Sequence, residues 1–302
     1  MKKIALSLLA FLMLVACSSE SSETNQNKGN VALQIELGYK GQTRSVIESK
    51  SLPDNSTYGV FATTTDSPVK VGLVENGDNR CVTYASGNST FDSPVYIPEY
   101  KNVFVWAYYP YNESFRAEEI MEQGMPVDIE TQTDYLLGRS DGGASESSPK
   151  VPVIMRHALA RIHVNVYRSE YNYRDYTFNS LEFSNVYAKG FVKFNNNVVY
   201  DEKALISLSM VPKNTTLDEN NQLCEVDLLV IPTKGQDIQL QLHGTLEKKV
   251  SLPSYSYDAG EQYNIDVVIN HEEQLQVGSW YITQWQDLEQ NGLEIWADDV
   301  TE

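Results

Sequence analysis

Apolar and polar residues alternate over many short runs of this chain, and the cleanest run lies at its centre. From Ala158 the even positions Ala158, Ala160, Ile162, Val164 and Val166 are apolar. Between them sit His157, Arg161, His163 and Asn165, with Leu159 the one exception. A period of two is the mark of a strand with one buried face. Just upstream the phase is opposite, because Val151, Val153 and Met155 occupy odd positions. A one-residue slip turns every side chain to the other face, so the pattern predicts a bulge or strand break near Arg156 and His157. A short helix over residues 156–163 is the weaker alternative, since a VNV run follows and no capping residue precedes it.

The same reading applies along the whole chain. Val31, Leu33, Ile35 and Leu37 alternate with polar or small residues as a first strand, and residues 38–44 read as an exposed loop. Strands are predicted over residues 57–64 and 93–98. Residues 103–109 are apolar or aromatic on both faces and closed by Pro110, which predicts a central strand covered on both sides. A short helix fits residues 114–121, and strand returns at 133–138. Residues 139–150 (RSDGGASESSPK) are rich in Ser, Gly and Asp and predict a linker. That linker divides an N-terminal domain, 31–150, from a C-terminal domain, 151–302. Beyond it LEFSNV, GFVKFN, ALISLSM and CEVDLLVIP have strand length, and alternation recurs at 238–242 and 263–269. Many short strands, turn residues between them and almost no helix predict an all-β protein of two tandem β-sandwich domains. No period recurs, which disfavours a propeller or solenoid.

The N-terminus adds an address. Lys2 and Lys3, an apolar run from Ile4 to Val15 and the sequence LVAC ending at Cys17 make residues 1–16 a bacterial lipoprotein signal, too short to remain as a membrane span. Cys17 would take the lipid, and acyl chains there would hold the protein on a membrane. Residues 17–30 read as a flexible tether. Without Lys2 and Lys3 the chain has 21 of its 23 basic residues against 41 acidic ones, a net charge of about −20. Such a charge disfavours nucleic acid as a partner and favours solubility outside the cell. Only Cys81 and Cys224 remain beyond Cys17. They could pair in an oxidising compartment, but they fall in different domains, and buried free thiols are the default.

Catalytic signals are nearly absent. There is no G-x-S-x-G elbow and no phosphate-cradling glycine loop. His271-Glu272-Glu273 opens like a zinc-binding helix, but position 275 is Leu, so the second ligand is missing. His157 and His163, placed on one strand face about 20 Å apart, read as hydrogen-bonded histidines. Acidic residues could in principle meet as a glycosidase pair, but in so acidic a chain they read as solvated surface. No enzyme, metal or cofactor is therefore predicted.

Five features resemble the fimbrillin-like family, the type V pilus subunits of Bacteroides-type bacteria. They are the lipobox, an early strand followed by Thr43-Arg44, Asp134-Tyr-Leu-Leu-Gly138, the His157-Ala-Leu-Ala-Arg-Ile162 run, and Ala259-Gly260-x-x-Tyr263-x-Ile265 followed by Trp280 and Trp285. Locally, Gly260 reads as a turn residue and Tyr263 and the tryptophans as core. The resemblance implies two transthyretin-like, Greek-key sandwiches on a lipoprotein of the outer membrane. It implies cleavage by a trypsin-like protease between Arg44 and Ser45, removal of the strand 31–37, and filling of the vacated groove by a terminal strand of another subunit. Leu293, Ile295 and Ala297 in the tail would be the donor residues. The plainer readings are a solvated loop arginine and a tail that completes its own sandwich. The expected partners are other fimbrial subunits, in a homo- or hetero-polymer, the outer membrane through Cys17, and ligands on host or bacterial surfaces, in cell adhesion or biofilm formation. The alternative class is an outer-surface glycan-binding lipoprotein using exposed tyrosines.

Overall fold

The computed structural model describes residues 31–39, 52–67, 72–195, 198–200 and 204–285. The first half carries β1 (Val31–Ala32), β2 (Gln34–Tyr39), β3 (Ser56–Thr63), β4 (Arg80–Ala85), β5 (Asn88–Phe91), β6 (Tyr96–Ile97) and β7 (Phe104–Tyr109). Helix α1 (Ala117–Gln123) follows, then β8 (Met125–Asp128), β9 (Leu136–Ser140) and β10 (Lys150–His157). Seven of these strands form one sheet in the order β2-β10-β9-β7-β3-β4-β5, and β1 pairs with β6.

The two-sided apolar run at β7 sits where its sequence requires. Val105 and Ala107 join one buried cluster with Val60 of β3, while Trp106 and Tyr108 join another with Phe61. A strand with a core on each face can only be interior, and β7 lies between β9 and β3. Helix α1 begins three residues later than the sequence predicts. Asn112 Oδ1 accepts hydrogen bonds from the backbone N–H and hydroxyl of Ser114, which holds that residue in a turn. The helix is instead capped from a distance, with Asp78 accepting from the Ala117 N–H at 2.9 Å.

The expected break near His157 is present. β10 buries its odd positions, Val151, Val153, Met155 and His157, whereas β11 (Ala160–Arg168) buries its even ones. Between them Ala158 and Leu159 form a bend, and both are buried. The phase reverses because the chain changes sheets: β10 runs parallel to β2 and antiparallel to β9, while β11 enters a different sheet. Arg139 and Ser140 belong to β9 and Lys150 to β10, so the Ser/Gly-rich stretch is a loop between neighbouring strands of the first sheet. The chain passes to the second half at Ala158–Leu159.

That half continues with β12 (Tyr176–Tyr187), β13 (Lys189–Val192), β14 (Val198–Tyr200), β15 (Leu205–Met210), β16 (Thr216–Leu217) and β17 (Leu223–Val230). It ends with β18 (Thr233–Gln236), β19 (Gln239–Gly244), β20 (Lys248–Ser251), β21 (Tyr255–Tyr257), β22 (Glu261–Ile269) and β23 (Leu275–Gln284). Two sheets, β17-β11-β22-β23 and β15-β12-β19-β20, contribute to one buried cluster. Ile162, Val164 and Val166 of β11 share it with Leu181 and Phe183 of β12 and with Leu240 and Leu242 of β19. The all-β sandwich architecture is thus as the sequence predicts. Cys81, half-buried, and Cys224, buried, are both free thiols.

The halves are stitched together by a further, three-stranded sheet. β8 from the first half pairs antiparallel with β13 from the second, and β14 lies beyond it. Met125 and Val127 of β8 and Val192 of β13 belong to the same buried cluster as the second sandwich, as do Trp106 and Tyr108. The larger core therefore runs through the seam.

Candidate functional site

The first strand pairs with β6 at its start and with β10 along one edge. Val31 and Ala32 pair with Ile97 and Tyr96, the Leu33 N–H donates to Val95 O at 2.8 Å, and the Gln34 N–H donates to Pro149 O at 2.9 Å. The chain then lies parallel to β10 from Gln34 opposite Lys150 to Tyr39 opposite Met155. β2 is the end strand of its sheet, with β10 as its one ladder partner. Leu33 and Ile35 point inwards and are buried among Val95, Ile97, Val151 and Val153, and Leu37 packs against the same cluster. Gln34 and Glu36 point to solvent. Glu36 meets Lys150 Nζ at 2.9 Å, but both side chains are more than half exposed, so this pair adds little. Burial of Leu33 and Ile35 contributes about 1.5–3 kcal/mol each. Leu33 and Ile35, with Leu37 beside them, the ladder to β10 and the short pairing with β6 therefore fasten the first strand over the core.

A second arrangement unites residues that lie far apart in the sequence. The His157 ring stacks on Trp285 with centroids 3.7 Å apart and planes within 8°. His157 Nδ1 is 2.9 Å from Asp134 Oδ1, and the Ala158 N–H donates to Tyr135 O at 2.7 Å. Gly260, in the left-handed region at φ 79°, donates its N–H to Leu159 O and accepts from the Trp285 N–H. Tyr263 donates to Ser256 O and accepts from the Asp258 N–H, fixing the turn before β22. Asp134-Tyr135, His157-Ala158-Leu159, Gly260 and Trp285 thus meet where the chain crosses between halves. Trp285 is also the last described residue. Trp280, read from the sequence as core, is instead 42% exposed on β23 beside Tyr281 and Ile282. It sits on the end strand of its sheet, where the alternating pattern gives way to exposure on both faces.

His157 and His163 do not share a strand face as expected, because the sheet switch separates them. His163, on β11, places Nδ1 2.6 Å from Asp227 Oδ1, and Arg161 grips the same carboxylate with Nε at 3.0 Å and Nη2 at 2.6 Å. Burial alone would raise the Asp227 pKa, but hydrogen bonds from His163 and Arg161 outweigh it and hold the carboxyl well below the usual range. A depressed folded-state pKa stabilises fully above the unfolded value of about 3.9 and loses that stabilisation as pH falls through the folded one. Asp227→Asn is expected to cost about 2 kcal/mol at pH 7. The gap to the parent should close progressively below about pH 4, as read from urea midpoints. Among the described residues no three His, Cys, Asp or Glu side chains are arranged to hold a metal.

The residues singled out in the sequence for lipid attachment (Cys17), processing (Arg44 and Ser45) and strand donation (Leu293, Ile295 and Ala297) lie outside the described residues. What the structure describes is the strand that a cut at Arg44 would detach.

Together these features define an all-β protein of two joined sandwiches with an edge-fastened first strand. The sequence model for fimbrillin-like proteins matches residues 43–285, and the chain belongs to the fimbrillin-like family. Solved structures agree on the fold. A candidate cell adhesion protein from Bacteroides uniformis superimposes with a TM-score of 0.61 at 18% identity, covering 85% of this chain and 99% of its own. One from Bacteroides ovatus gives 0.61 at 12%, covering 85% and 98%. A fimbrial protein from Bacteroides vulgatus gives 0.60 at 14%, covering 84% and 99%. At these identities the likeness is one of fold. No curated protein shows significant sequence similarity to the chain.

Proposed function

We propose that this protein is a subunit of a surface fimbria assembled by strand exchange, serving cell adhesion or biofilm formation. The supporting observation is the first strand: Leu33 and Ile35 plug a hydrophobic groove from the sheet edge, held by the ladder to β10 and a short pairing with β6. Loss of that strand would bare both the groove and the backbone edge of β10, a surface that a strand of matching alternation can satisfy. In this reading Cys17 carries the lipid that brings the precursor to the outer membrane. Cleavage between Arg44 and Ser45 frees the strand, and a tail bearing Leu293, Ile295 and Ala297 enters the groove of the next subunit.

The test is limited digestion of protein lacking the signal and Cys17 with a trypsin-like protease, beside an Arg44→Ala control. Cleavage at Arg44 followed by SDS-resistant ladders, absent from the control, is the expected result. Resistance at Arg44, or cleavage that leaves only monomers, would overturn self-assembly by this route.

A further inference from the structure

We propose that the cleft over the seam sheet is a binding site for a small, uncharged, flat and largely apolar molecule carrying one hydroxyl or amide group. The floor of the cleft is a cross-strand row. Phe191 of β13 lies opposite Pro126 of β8 on one side and Val199 of β14 on the other. The alternate residues Met125, Val127 and Val192 face the core, so this row faces outward, with Phe191 38% and Val199 55% exposed. The outward face of such a sheet is ordinarily polar, and three adjacent apolar residues there form a dry platform. Tyr111, Phe115 and Tyr135 stand around it, and the half-open cleft measures about 680 Å³, within the size range of small-molecule sites.

The polar end of the site sets the charge of the guest. Two residues along the same face, Asp128 lies opposite Lys189, with the carboxylate 3.3 Å from Nζ. An intact ion pair presents one acceptor and one donor side by side with no net charge. A hydroxyl or an amide can use both without separating them. A carboxylate guest would have to take Lys189 from Asp128, and an ammonium guest would have to take Asp128 from Lys189. Either exchange leaves one partner unmatched, so both charged guests are disfavoured against the neutral one. Ring faces are available for the apolar body. Of the aromatic residues named, only Phe115 has a ring contact in the described residues, its face tilted on Tyr108.

The experiment uses three fluorescent probes that share one flat ring system: 1-pyrenemethanol, 1-pyrenecarboxylate and 1-pyrenemethylammonium. Anisotropy titrations are run on the full mature chain and on Phe191→Ser and Val199→Ser variants, whose folding is checked by circular dichroism. Both side chains are substantially exposed, so these changes leave the core intact. Pyrenemethanol is expected to bind saturably at one site with a Kd below about 100 μM. The charged probes should bind about fivefold more weakly, and each serine variant about tenfold more weakly. Absence of saturable binding would overturn the site, as would variants that bind like the parent, which would place the probe elsewhere. Equal affinity for the three probes would overturn its selectivity for a neutral guest.

Discussion

A chain lacking residues 1–44 is expected to lose the stability of its first sheet and to recover it when the missing strand is supplied as a separate peptide. Leu33 and Ile35 are buried, and removing such side chains costs about 2–5 kcal/mol each before the lost ladder is considered. That sum rivals the whole stability of an ordinary domain. The truncated protein should therefore unfold at markedly lower urea and bind a dye that reports exposed apolar surface. A peptide covering residues 31–39 should reverse both effects. The same peptide carrying Leu33→Asp and Ile35→Asp should not, because it can form the ladder but cannot fill the core. A peptide covering residues 291–299, which presents Leu293, Ile295 and Ala297, is the informative third ligand. Recovery with it would support exchange between subunits. If only the native strand restores stability, the groove is specific for its own plug and the proposed donor is wrong.

Trp285→Ala is expected to destabilise the protein by about 3–5 kcal/mol, whereas Trp280→Ala should cost less than about 1 kcal/mol. Trp285 is buried and covers His157, whose Nδ1 faces Asp134. Truncation opens the centre of the cluster that joins the two halves and leaves a buried imidazole uncovered. Trp285→Phe offers the control. The buried indole N–H has no hydrogen-bond partner among the described residues, so phenylalanine gives up no such bond there while a ring remains on His157. Phenylalanine should keep most of the stability in a guanidinium titration. A large loss from Phe and Ala alike would mean that the indole shape, not the stacked ring, holds the junction.

The two experiments touch residues that differ in how far the sequence revealed them. Alternation exposed Leu33 and Ile35 as inward-facing and placed the break near His157, because the period of a half-buried strand is written locally. It also marked residues 103–109 as a covered strand, because a run apolar on both faces has no other stable place. Alternation is silent about partners. Nothing in VPVIMRH shows that it lies parallel to β2, so its sheet could not be read from the sequence. Met125-Pro-Val-Asp128 is too short to show a period, and its pairing with Lys189–Val192 spans more than sixty residues, which left the seam sheet and its cleft unread. Asp134-Tyr135, His157-Ala158-Leu159, Gly260 and Trp285 are among the scattered residues that carry the family resemblance. The contacts of Asp134 with His157, of His157 with Trp285 and of Gly260 with both Leu159 and Trp285 are a property of the folded chain.

The seam sheet also bears on mechanics. With β8 laddered to β13 and a single apolar cluster spanning both sides, the two sandwiches have no free hinge between them. Bending one against the other would have to shear that ladder and open the cluster together, a cooperative and costly event. A string of such subunits would behave as stiff rods in series. Its curvature and its yielding under tension would both fall at the joints from one subunit to the next.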